Sequence, residues 1–538
     1  MNKLDLSNRH DRTFAKILAR QAQEAGDTVY LKTDTAEITF AQVEDITSRI
    51  ATGLAAKGVR IGDRVVLFLA NDPEMVLLAL AINKLGAVWV PVNKDYKGVW
   101  LQETIDRCRA KLVLTDIAGL TQLESLSCEV PLLGLVGGKD DGLTSRFEIF
   151  DYAMLLDYPP YQVDHEAQSY GDTCAILWTS GTTGRSKGVM IPYNAWIHAI
   201  VRGASMQYRS QEGDIIYNVL PLFNAGAWVT AVLRGLLEGL TVVIEQRFSV
   251  SNFMDRIKHF GATQTFALGA MGTFLLNTPE TEDDSATPLR VAQVVPLAPD
   301  LWPVFSKRFG VRLARGGLGQ SECMRVLSQV VERDDVPVYA LGFADELAPV
   351  ALLDNEGNEV ALGEVGEIAI KPTEPYLIFN GYFDDPEATK KAFHGDWYCT
   401  GDMGRQDPAT GAFFYIDRKR DAIRFGGRNI STLEVEGVAR KFPGIADIAA
   451  YGMPHPDVPG EHELALAIVE AQGAKVDERA LCEFINENGP YYFVPRYITK
   501  FEALPYTPTN KVQKFQLQEK GVLVQTWDIK TSDYVVKR

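Results

Sequence analysis

The sequence lacks several features on which large protein classes depend. Its cysteines are few and scattered, and none forms a Cys-x-x-Cys pair: Cys108, Cys128, Cys174, Cys323, Cys399 and Cys482. This argues against a zinc site and against a disulfide framework. No apolar run is long enough to cross a bilayer, and the first residues lack the apolar core of an export signal. We therefore expect a cytoplasmic protein with free thiols and no membrane span.

Basic residues are also outnumbered by acidic residues. The chain has 54 Lys and Arg against 70 Asp and Glu, a net charge of −16. A nucleic-acid partner requires a basic face, so this class of function is excluded. The remaining composition, 46% hydrophobic and 23% charged, is that of a globular protein. Because a chain of 538 residues is too long to fold around one ordinary hydrophobic core, we expect at least two domains.

The periodicity of apolar residues predicts an α/β fold. Strands alternate with helices in the N-terminal region, which indicates a parallel sheet. The predicted elements there are helix 14–27, a hairpin over 29–40, helix 41–57, strand 65–70, helix 73–85, strand 88–92, strand 112–115, strand 174–178 and helix 194–203. Near the C-terminus we predict strands 448–452 and 464–470 and helix 478–488. His198, on one of these helices, has no evident partner, so we expect it to be structural.

One loop carries the strongest chemical signal. A predicted buried strand runs directly into Thr179-Ser-Gly-Thr-Thr-Gly-Arg-Ser-Lys187-Gly188. Glycines allow several N–H groups to point at one anion, hydroxyls add donors, and a lysine adds charge, so the loop predicts a polyphosphate site. The candidate phosphate-binding residues are Thr179, Ser180, Gly181, Thr182, Thr183, Gly184 and Lys187.

Two other interpretations of this loop are weaker. A Walker loop has Gly before its lysine and Ser or Thr after it. Here Ser186 precedes Lys187 and Gly188 follows it, so the loop fails at both positions. A flexible polar loop without a ligand would explain the composition, but not so long a run directly after an apolar strand.

The loop resembles the phosphate loop of the adenylate-forming enzymes, which include acyl-CoA synthetases, peptide-synthetase adenylation domains and luciferases. Further stretches resemble motifs of this family in order along nearly the whole chain. The resemblance implies a large N-terminal domain of stacked α/β subdomains, residues 1–417, and a small mobile α+β C-terminal domain, residues 418–538. The sequence Gly269-Ala-Met271 is similar to that of crotonobetaine/carnitine-type CoA ligases.

Three motifs imply nucleotide contacts. The stretch from Gly316 to Glu322 resembles the family's Tyr-Gly-Met-Thr-Glu motif. The resemblance implies that Glu322 coordinates Mg²⁺ and that Gly319 and Ser321 adjoin the phosphates. Similarity to an aromatic-Arg-Thr-Gly-Asp motif implies that Asp402 accepts hydrogen bonds from the ribose. The stretch Tyr415-Ile-Asp-Arg-Lys-Arg-Asp421 resembles the family hinge, which implies that Arg418 contacts the nucleotide and that Arg420 is the pivot.

The same resemblance supplies the acid and thiol sites. It implies an acyl pocket formed by Asn224, Trp228, Gly269, Ala270 and Met271. Gly427 matches the glycine that lines the CoA channel in relatives, with Gly426 beside it, and a glycine-rich hairpin turn without a ligand is the alternative interpretation. The stretch Leu504-Pro-Tyr-Thr-Pro-Thr-Asn-Lys511 resembles Pro-x-Thr-x-x-Gly-Lys and implies that Lys511 is the catalytic lysine.

Four positions depart from the family pattern. Asn224 replaces a histidine, Leu318 a tyrosine, Cys399 an arginine and Asn510 a glycine. Asparagine tolerates positive φ, so the loop before Lys511 can survive. Asn224 also has an ordinary interpretation as a helix N-cap. The stretch Val294–Pro299 lacks the glycines of the usual adenine turn, which leaves that contact unassigned.

The motif set implies that the protein activates a carboxylic acid with ATP. Lys511, the hydroxyl-rich loop and Mg²⁺ on Glu322 would offset charge as the acid attacks the α-phosphorus. CoA would then attack the acyl-adenylate and release AMP. The implied cofactors are ATP, Mg²⁺ and CoA, the partners are a small carboxylic acid and CoA, and a homodimer is common in relatives. Two alternatives stay open: an enzyme that loads a carrier-protein thiol, and an impaired nucleotide-binding protein.

Overall fold

The computed structural model describes residues 6–138, 144–164, 167–179, 186–330, 333–419, 423–425, 428–430, 432–455, 462–506, 512–532 and 534–537. The chain divides into two compact units. One comprises Met1–Val350 with Ile370–Asp396, and the other comprises Ala351–Ala369 with Trp397–Arg538. The proposed domain boundary at residues 417 and 418 falls within the second unit and stays a prediction.

The first unit contains two seven-stranded sheets. The spatial order in one sheet is Arg312–Leu313, Val291–Val295, Gln264–Leu268, Ile215–Asn218, Thr241–Ile244, Val29–Lys32 and Glu37–Thr39. Its neighbouring strands pair in parallel, except for the last two, which pair antiparallel. The hairpin predicted over residues 29–40 is therefore confirmed.

The second sheet contains the strand that leads into the predicted phosphate loop. Its spatial order is Ile149–Asp151, Leu133–Leu135, Leu112–Thr115, Arg64–Phe68, Val88–Pro91, Thr173–Thr179 and Lys187–Pro192. All pairs are parallel except the last. The predicted parallel sheet is confirmed. Strands Val88–Pro91 and Leu112–Thr115 are buried at every residue, as expected for strands covered on both faces.

Helices cover these sheets. The α-helices of the first unit are Phe14–Glu24, Phe40–Ala56, Pro73–Lys84, Gly98–Cys108, Ile117–Glu124, Tyr193–Ala199, Ser205–Tyr208, Ala225–Ala227, Leu233–Glu238, Phe253–Phe260, Gly269–Leu276, Leu301–Phe309 and Pro386–Lys391. Two π-helical turns, Ile200–Ala204 and Trp228–Val232, interrupt longer helices. Short 3₁₀ turns span Arg9–Asp11 and Tyr152–Asp157, and the pair Gly317–Leu318 and Leu327–Ser328 forms a small antiparallel ladder.

Local signals explain where the first long helices begin and end. Thr39 and Gln42 form a capping box before Phe40–Ala56, which offsets two unpaired backbone donors. Gly58 follows this helix with φ of +87°, a conformation that favours glycine. Asp72 and Pro73 begin the next helix. The first helix ends at Glu24, three residues before the predicted end.

The second unit is mixed α+β. Strands Val350–Leu353, Val365–Ile370, Trp397–Gln406 and Phe413–Arg418 belong to one sheet. The remaining strands form the hairpin Ile423–Phe425 and Arg428–Ile430, and a sheet in the order Ile445–Pro454, His462–Glu470, Tyr497–Lys500 and Trp527–Asp528. The helices are Thr432–Ala439, Glu478–Asn488 and Lys514–Lys520, with 3₁₀ turns at Tyr491–Phe493 and Ile529–Thr531.

The predicted helix 478–488 is confirmed at both ends. It begins where the Asp477 side chain accepts a hydrogen bond from the Ala480 backbone N–H, which satisfies one donor of the first turn. Its inner face contributes Leu481 and Ile485 to a core shared with Ile448 and Leu466 of the adjacent strands. In the described part of the chain, we find no helix long and apolar enough to cross a membrane.

Candidate active site

The predicted site residues of the first unit follow the carboxyl ends of parallel strands. The phosphate loop follows Thr173–Thr179, the stretch with Asn224 follows Ile215–Asn218, and Gly269 follows Gln264–Leu268. Ligands in open α/β sheets bind at this edge, because the loops there converge. The topology therefore places Asn224 and Gly269 at the ligand-binding edge of one sheet and the phosphate loop at that edge of the other.

The two ends of the phosphate loop are joined. Thr179 and Lys187 are opposite each other in the antiparallel pair, and the Ser186 hydroxyl donates to the Thr179 carbonyl over 2.5 Å. Arg107 Nη1 donates to the Ser186 carbonyl over 2.6 Å, and its guanidinium lies 4.6 Å from the centroid of the Trp178 ring. Ser180, Gly181, Thr182, Thr183 and Gly184 lie outside the described residues, so their phosphate contacts stay a prediction.

Sequence reasoning missed Arg107. It lies on helix Gly98–Cys108, about eighty positions before the loop it contacts, and no local motif marks it. Only the packing of that helix against the strand ends brings its guanidinium to the Ser186 carbonyl. A lone arginine in a helix ordinarily indicates a solvated face.

Glu322 lies in a tight turn. The Gln320 N–H donates to the Cys323 carbonyl over 2.9 Å, and the Cys323 N–H donates back over 3.1 Å, so Ser321 and Glu322 are held between them. Gly319 packs closely in the same turn, because a Cβ there would lie 2.3 Å from the Met324 carbonyl oxygen. The predicted glycine and carboxylate therefore belong to one compact backbone unit.

Tyr382 joins two predicted site residues and was missed by sequence reasoning. Its hydroxyl donates to Glu322 Oε1 over 2.9 Å. Lys187 Nζ lies 4.5 Å from the centroid of its ring, a cation–π distance. One side chain thus contacts both the lysine that follows the phosphate loop and the carboxylate predicted to hold magnesium. Sixty residues separate Tyr382 from Glu322, and no spacing rule connects them.

The donor set fits a magnesium ion that arrives with a nucleotide. Among the described residues, no group of three or more His, Cys, Asp and Glu could hold a metal. Mg²⁺ at nucleotide sites is bound by only one or two carboxylates, with phosphate and water oxygens supplying the other ligands. Glu322, partly buried and hydrogen-bonded at one oxygen, is suited to that limited role.

The structure alters the expectation for Asn224. It occupies the N-cap position of the short helix Ala225–Ala227, but its side chain makes no capping hydrogen bond. The interpretation of Asn224 as a side-chain cap is therefore wrong. The preceding loop is held instead by Asn71, whose Nδ2 donates to the Leu220 carbonyl over 2.9 Å and whose Oδ1 accepts from the Leu222 N–H over 2.8 Å.

Trp228 is a core residue that packs behind this loop. It is only 1% exposed, lies 4.3 Å from Trp89 between ring centroids, and donates from Nε1 to the Leu222 carbonyl over 2.7 Å. The predicted strand-to-helix junction at residue 269 is confirmed, with Ala270 and Met271 partly buried just inside the helix. Acyl-pocket roles for these residues stay predictions.

His198 is part of a buried ionic cluster. Its Nε2 lies 3.6 Å from Asp345 Oδ1, while Arg202 Nε and Arg325 Nη1 lie 2.9 and 3.1 Å from Asp345 Oδ2. Burial, with the nearby Arg325 charge, lowers the pKa of His198 to about 4. The imidazole is therefore neutral near neutral pH, which agrees with the structural role expected for it.

Two predicted nucleotide contacts meet in the second unit. Asp402 and Arg418 are opposite each other on paired strands, and Arg418 Nε lies 3.0 Å from Asp402 Oδ1. Asp402 is 1% exposed, so its carboxylate is buried beside this guanidinium. The neighbouring Glu367, which sequence reasoning missed, accepts from the Gly401 N–H over 2.9 Å and from Lys419 Nζ over 2.7 Å. Arg420, Gly426, Gly427 and Lys511 lie outside the described residues.

Comparison with known proteins decides the family. Residues 18–383 match the model of the AMP-binding enzyme, and residues 434–511 match that of the AMP-binding enzyme C-terminal domain. The chain belongs to the AMP-binding enzyme family. The expected resemblance to adenylate-forming enzymes is confirmed, as is the α/β class with a large N-terminal and a small C-terminal domain.

Individual relatives agree with this placement. The chain is 30% identical over 491 residues to a crotonobetaine/carnitine–CoA ligase of Proteus mirabilis, covering 90% of this chain and 93% of the relative. It shares its fold with the anthranilate CoA ligase AuaEII in complex with anthranoyl-AMP, at a TM-score of 0.82, 23% identity and coverage of 94% and 97%. ATP-bound MatB from Rhodopseudomonas palustris has a TM-score of 0.80, 24% identity and coverage of 94% and 98%.

Proposed function

We propose that the protein is an AMP-forming acid–CoA ligase. It activates a small carboxylic acid with ATP to an acyl-adenylate, releasing pyrophosphate, and then transfers the acyl group to CoA, releasing AMP. One observation carries the proposal: in a member of the AMP-binding enzyme family, Tyr382 contacts both Lys187, at the end of the phosphate loop, and Glu322. A cation and a carboxylate that contact the same side chain suit a nucleotide triphosphate with its metal.

The first half-reaction requires charge compensation. A carboxylate that approaches ATP is repelled by the triphosphate, so donors and cations must surround the phosphates. The hydroxyls and N–H groups of Thr179–Gly184, together with Lys187, supply part of this in the proposal, and Lys511 supplies a second cation. Glu322 would hold Mg²⁺, which neutralises phosphate charge when bound. Gly319 and Ser321 would place backbone and hydroxyl donors beside the phosphates.

Residues of the second unit would bind the nucleoside and the thiol. Asp402 would accept hydrogen bonds from the ribose hydroxyls, and Arg418 would contact the nucleotide. Because Arg418 Nε lies 3.0 Å from Asp402 Oδ1, ribose binding would require this ion pair to open. Arg420 would be the hinge, and Gly426 and Gly427 would line the CoA channel. Asn224, Trp228, Gly269, Ala270 and Met271 would form and support the acid pocket.

The thiol acceptor is the point at which this proposal differs from its nearest alternative. We would incubate the protein with ATP, Mg²⁺ and carboxylic acids that include crotonobetaine, carnitine, anthranilate and benzoate, and supply either CoA or a phosphopantetheinylated carrier protein. Mass spectrometry should detect acyl-CoA and AMP with free CoA. Acyl transfer to the carrier alone would favour carrier loading. ATP binding without pyrophosphate release from any acid would favour an impaired nucleotide-binding protein.

The proposal extends to where the protein acts and how it assembles. We place it in the cytoplasm, where ATP and CoA are available, and as a homodimer. Light scattering of the purified protein should give twice the mass of the 538-residue chain. A mass equal to one chain at micromolar concentration would contradict the dimer, but it would leave the proposed reaction unchanged.

A further inference from the structure

The segment 379–383 fastens two parts of the candidate site together. Its backbone extends the strand Lys187–Pro192: the Asn380 N–H donates to the Met190 carbonyl over 2.7 Å, and the Phe383 N–H donates to the Gly188 carbonyl over 2.7 Å. At its other end, the Phe379 N–H donates to the Glu322 carbonyl over 2.8 Å. The strand after the phosphate loop and the Glu322 turn are thus held by one short piece of chain.

The Tyr382 side chain joins the same two parts, because it contacts both Glu322 and Lys187. It is 6% exposed, and its backbone N–H is fixed by Thr389 Oγ1 at 2.8 Å. The phenol donates to Glu322 Oε1 over 2.9 Å, and the face of the ring lies beneath Lys187 Nζ. Glu322 is partly buried, and a hydrogen bond to a carboxylate is stronger when one partner is removed from water, as Tyr382 is. The position of the Glu322 carboxylate therefore depends on this hydroxyl.

We propose that Tyr382 is a positioning residue for magnesium, holding the Glu322 carboxylate in the orientation that binds the metal of Mg·ATP. The inference rests on the proposed function, which assigns the metal to Glu322. The hydroxyl bonds one oxygen of the Glu322 carboxylate, which restricts rotation of the group and leaves the other oxygen for the metal. Groups that hydrogen-bond to metal ligands typically contribute about 10- to 100-fold to metal affinity.

A purely structural role for Tyr382 predicts something different. If the ring only fills space, Tyr382→Phe changes little, because it keeps the ring, its packing and the cation–π contact with Lys187. If the hydroxyl positions Glu322, removing it weakens metal binding and leaves packing and nucleotide affinity unchanged. Tyr376→Phe is the matched control, since Tyr376 is in the same stretch of chain and is 45% exposed.

The experiment measures metal binding without turnover. Wild type, Tyr382→Phe, Glu322→Gln and Tyr376→Phe are titrated with Mn²⁺ in the presence of a non-hydrolysable ATP analogue, and bound Mn²⁺ is followed by electron paramagnetic resonance. We expect Tyr382→Phe to weaken Mn²⁺ binding by about tenfold. Its affinity for the analogue without metal should stay that of wild type. Tyr376→Phe should match wild type in both titrations.

The outcomes separate the inference from the function on which it rests. If Glu322→Gln abolishes the bound Mn²⁺ signal but Tyr382→Phe binds Mn²⁺ as wild type does, the positioning role is wrong and the metal assignment stands. If Glu322→Gln also binds as wild type, the assignment of Glu322 fails, and the inference fails with it. Thermal unfolding of each variant shows whether a loss reflects misfolding. Should Tyr382→Phe unfold early, Tyr382→Trp, with a hydrogen-bond donor on its ring, should bind Mn²⁺ more tightly than Tyr382→Leu, and equal affinities would overturn the proposal.

Discussion

At the scale of single residues, burial decides which ionisable groups can change charge. His198 is buried against Arg325 and Asp345, with Arg202 at the edge of the same cluster. Its low pKa means that protonation is unfavourable in the folded protein. Between pH 4 and 6.5 the unfolded chain therefore binds a proton at this position that the folded chain does not, and stability must fall as the pH is lowered through that range.

This gives a prediction for pH-dependent stability. From pH 7 to 4, the contribution of His198 should cost the folded state roughly 3 kcal/mol, from its ordinary pKa of 6.5 and a folded value of about 4. His198→Gln has no such group, so its free energy of unfolding should decline less over the same range. Urea unfolding at pH 7 and pH 4 tests this. Equal losses in wild type and variant would contradict the buried neutral histidine.

The residues that sequence reasoning missed share one property. Arg107, Tyr382 and Glu367 contact elements of the candidate site that are far from them in sequence. The residues it found, such as Thr179, Lys187 and Glu322, lie in glycine-rich motifs whose backbone needs are visible locally. Contacts between distant elements depend on how the elements pack, and a single sequence does not record that packing.

At the scale of elements, two turns at strand ends approach as closely as backbone allows. Gly269 begins helix Gly269–Leu276, and a Cβ there would lie 1.7 Å from the Pro296 carbonyl oxygen. The Pro296 turn follows the neighbouring parallel strand Val291–Val295. The glycine is thus required by a close approach between the stretch predicted to line the acid pocket and the turn at Pro296, whose ligand contact is unassigned.

We therefore expect Gly269→Ala to separate these turns. Because the clash is with backbone, the variant should lose about 2 kcal/mol or more of stability, in the range found for overpacked sites. The Michaelis constant for the acid should rise in the same variant. Gly316→Ala is the control, since its Cβ would meet Val295 only at an ordinary 3.6 Å. Unfolding and kinetics of both variants check this, and equal effects would show that the Gly269 contact is not special.

Elements were predicted well where their periodicity was strong. The helix at 478–488 and the strand at 112–115 were placed at their observed ends, and the parallel alternation around 64–91 was confirmed. The order of strands in the two seven-stranded sheets could not be predicted. Apolar strands that are buried on both faces carry no alternation to specify their neighbours, so tertiary packing alone sets the order.

At the scale of the whole molecule, the candidate chemistry is distributed over both units. The phosphate-loop ends and Glu322 are in the first unit, whereas Asp402, Arg418 and Lys511 are in the second. The family match over residues 18–383 and 434–511 includes every one of these residues except Asp402 and Arg418.

The most direct test of the account is AMP formation by a Lys511 variant. Wild type, Lys511→Ala and the nearby Lys520→Ala are incubated with ATP, Mg²⁺, CoA and the acid that the panel identifies, and AMP and acyl-CoA are quantified by mass spectrometry. We predict that wild type and Lys520→Ala form both products, and that Lys511→Ala forms AMP about a hundredfold or more slowly, because a cation that stabilises transition-state charge is gone. Equal AMP formation by Lys511→Ala and wild type would contradict the account.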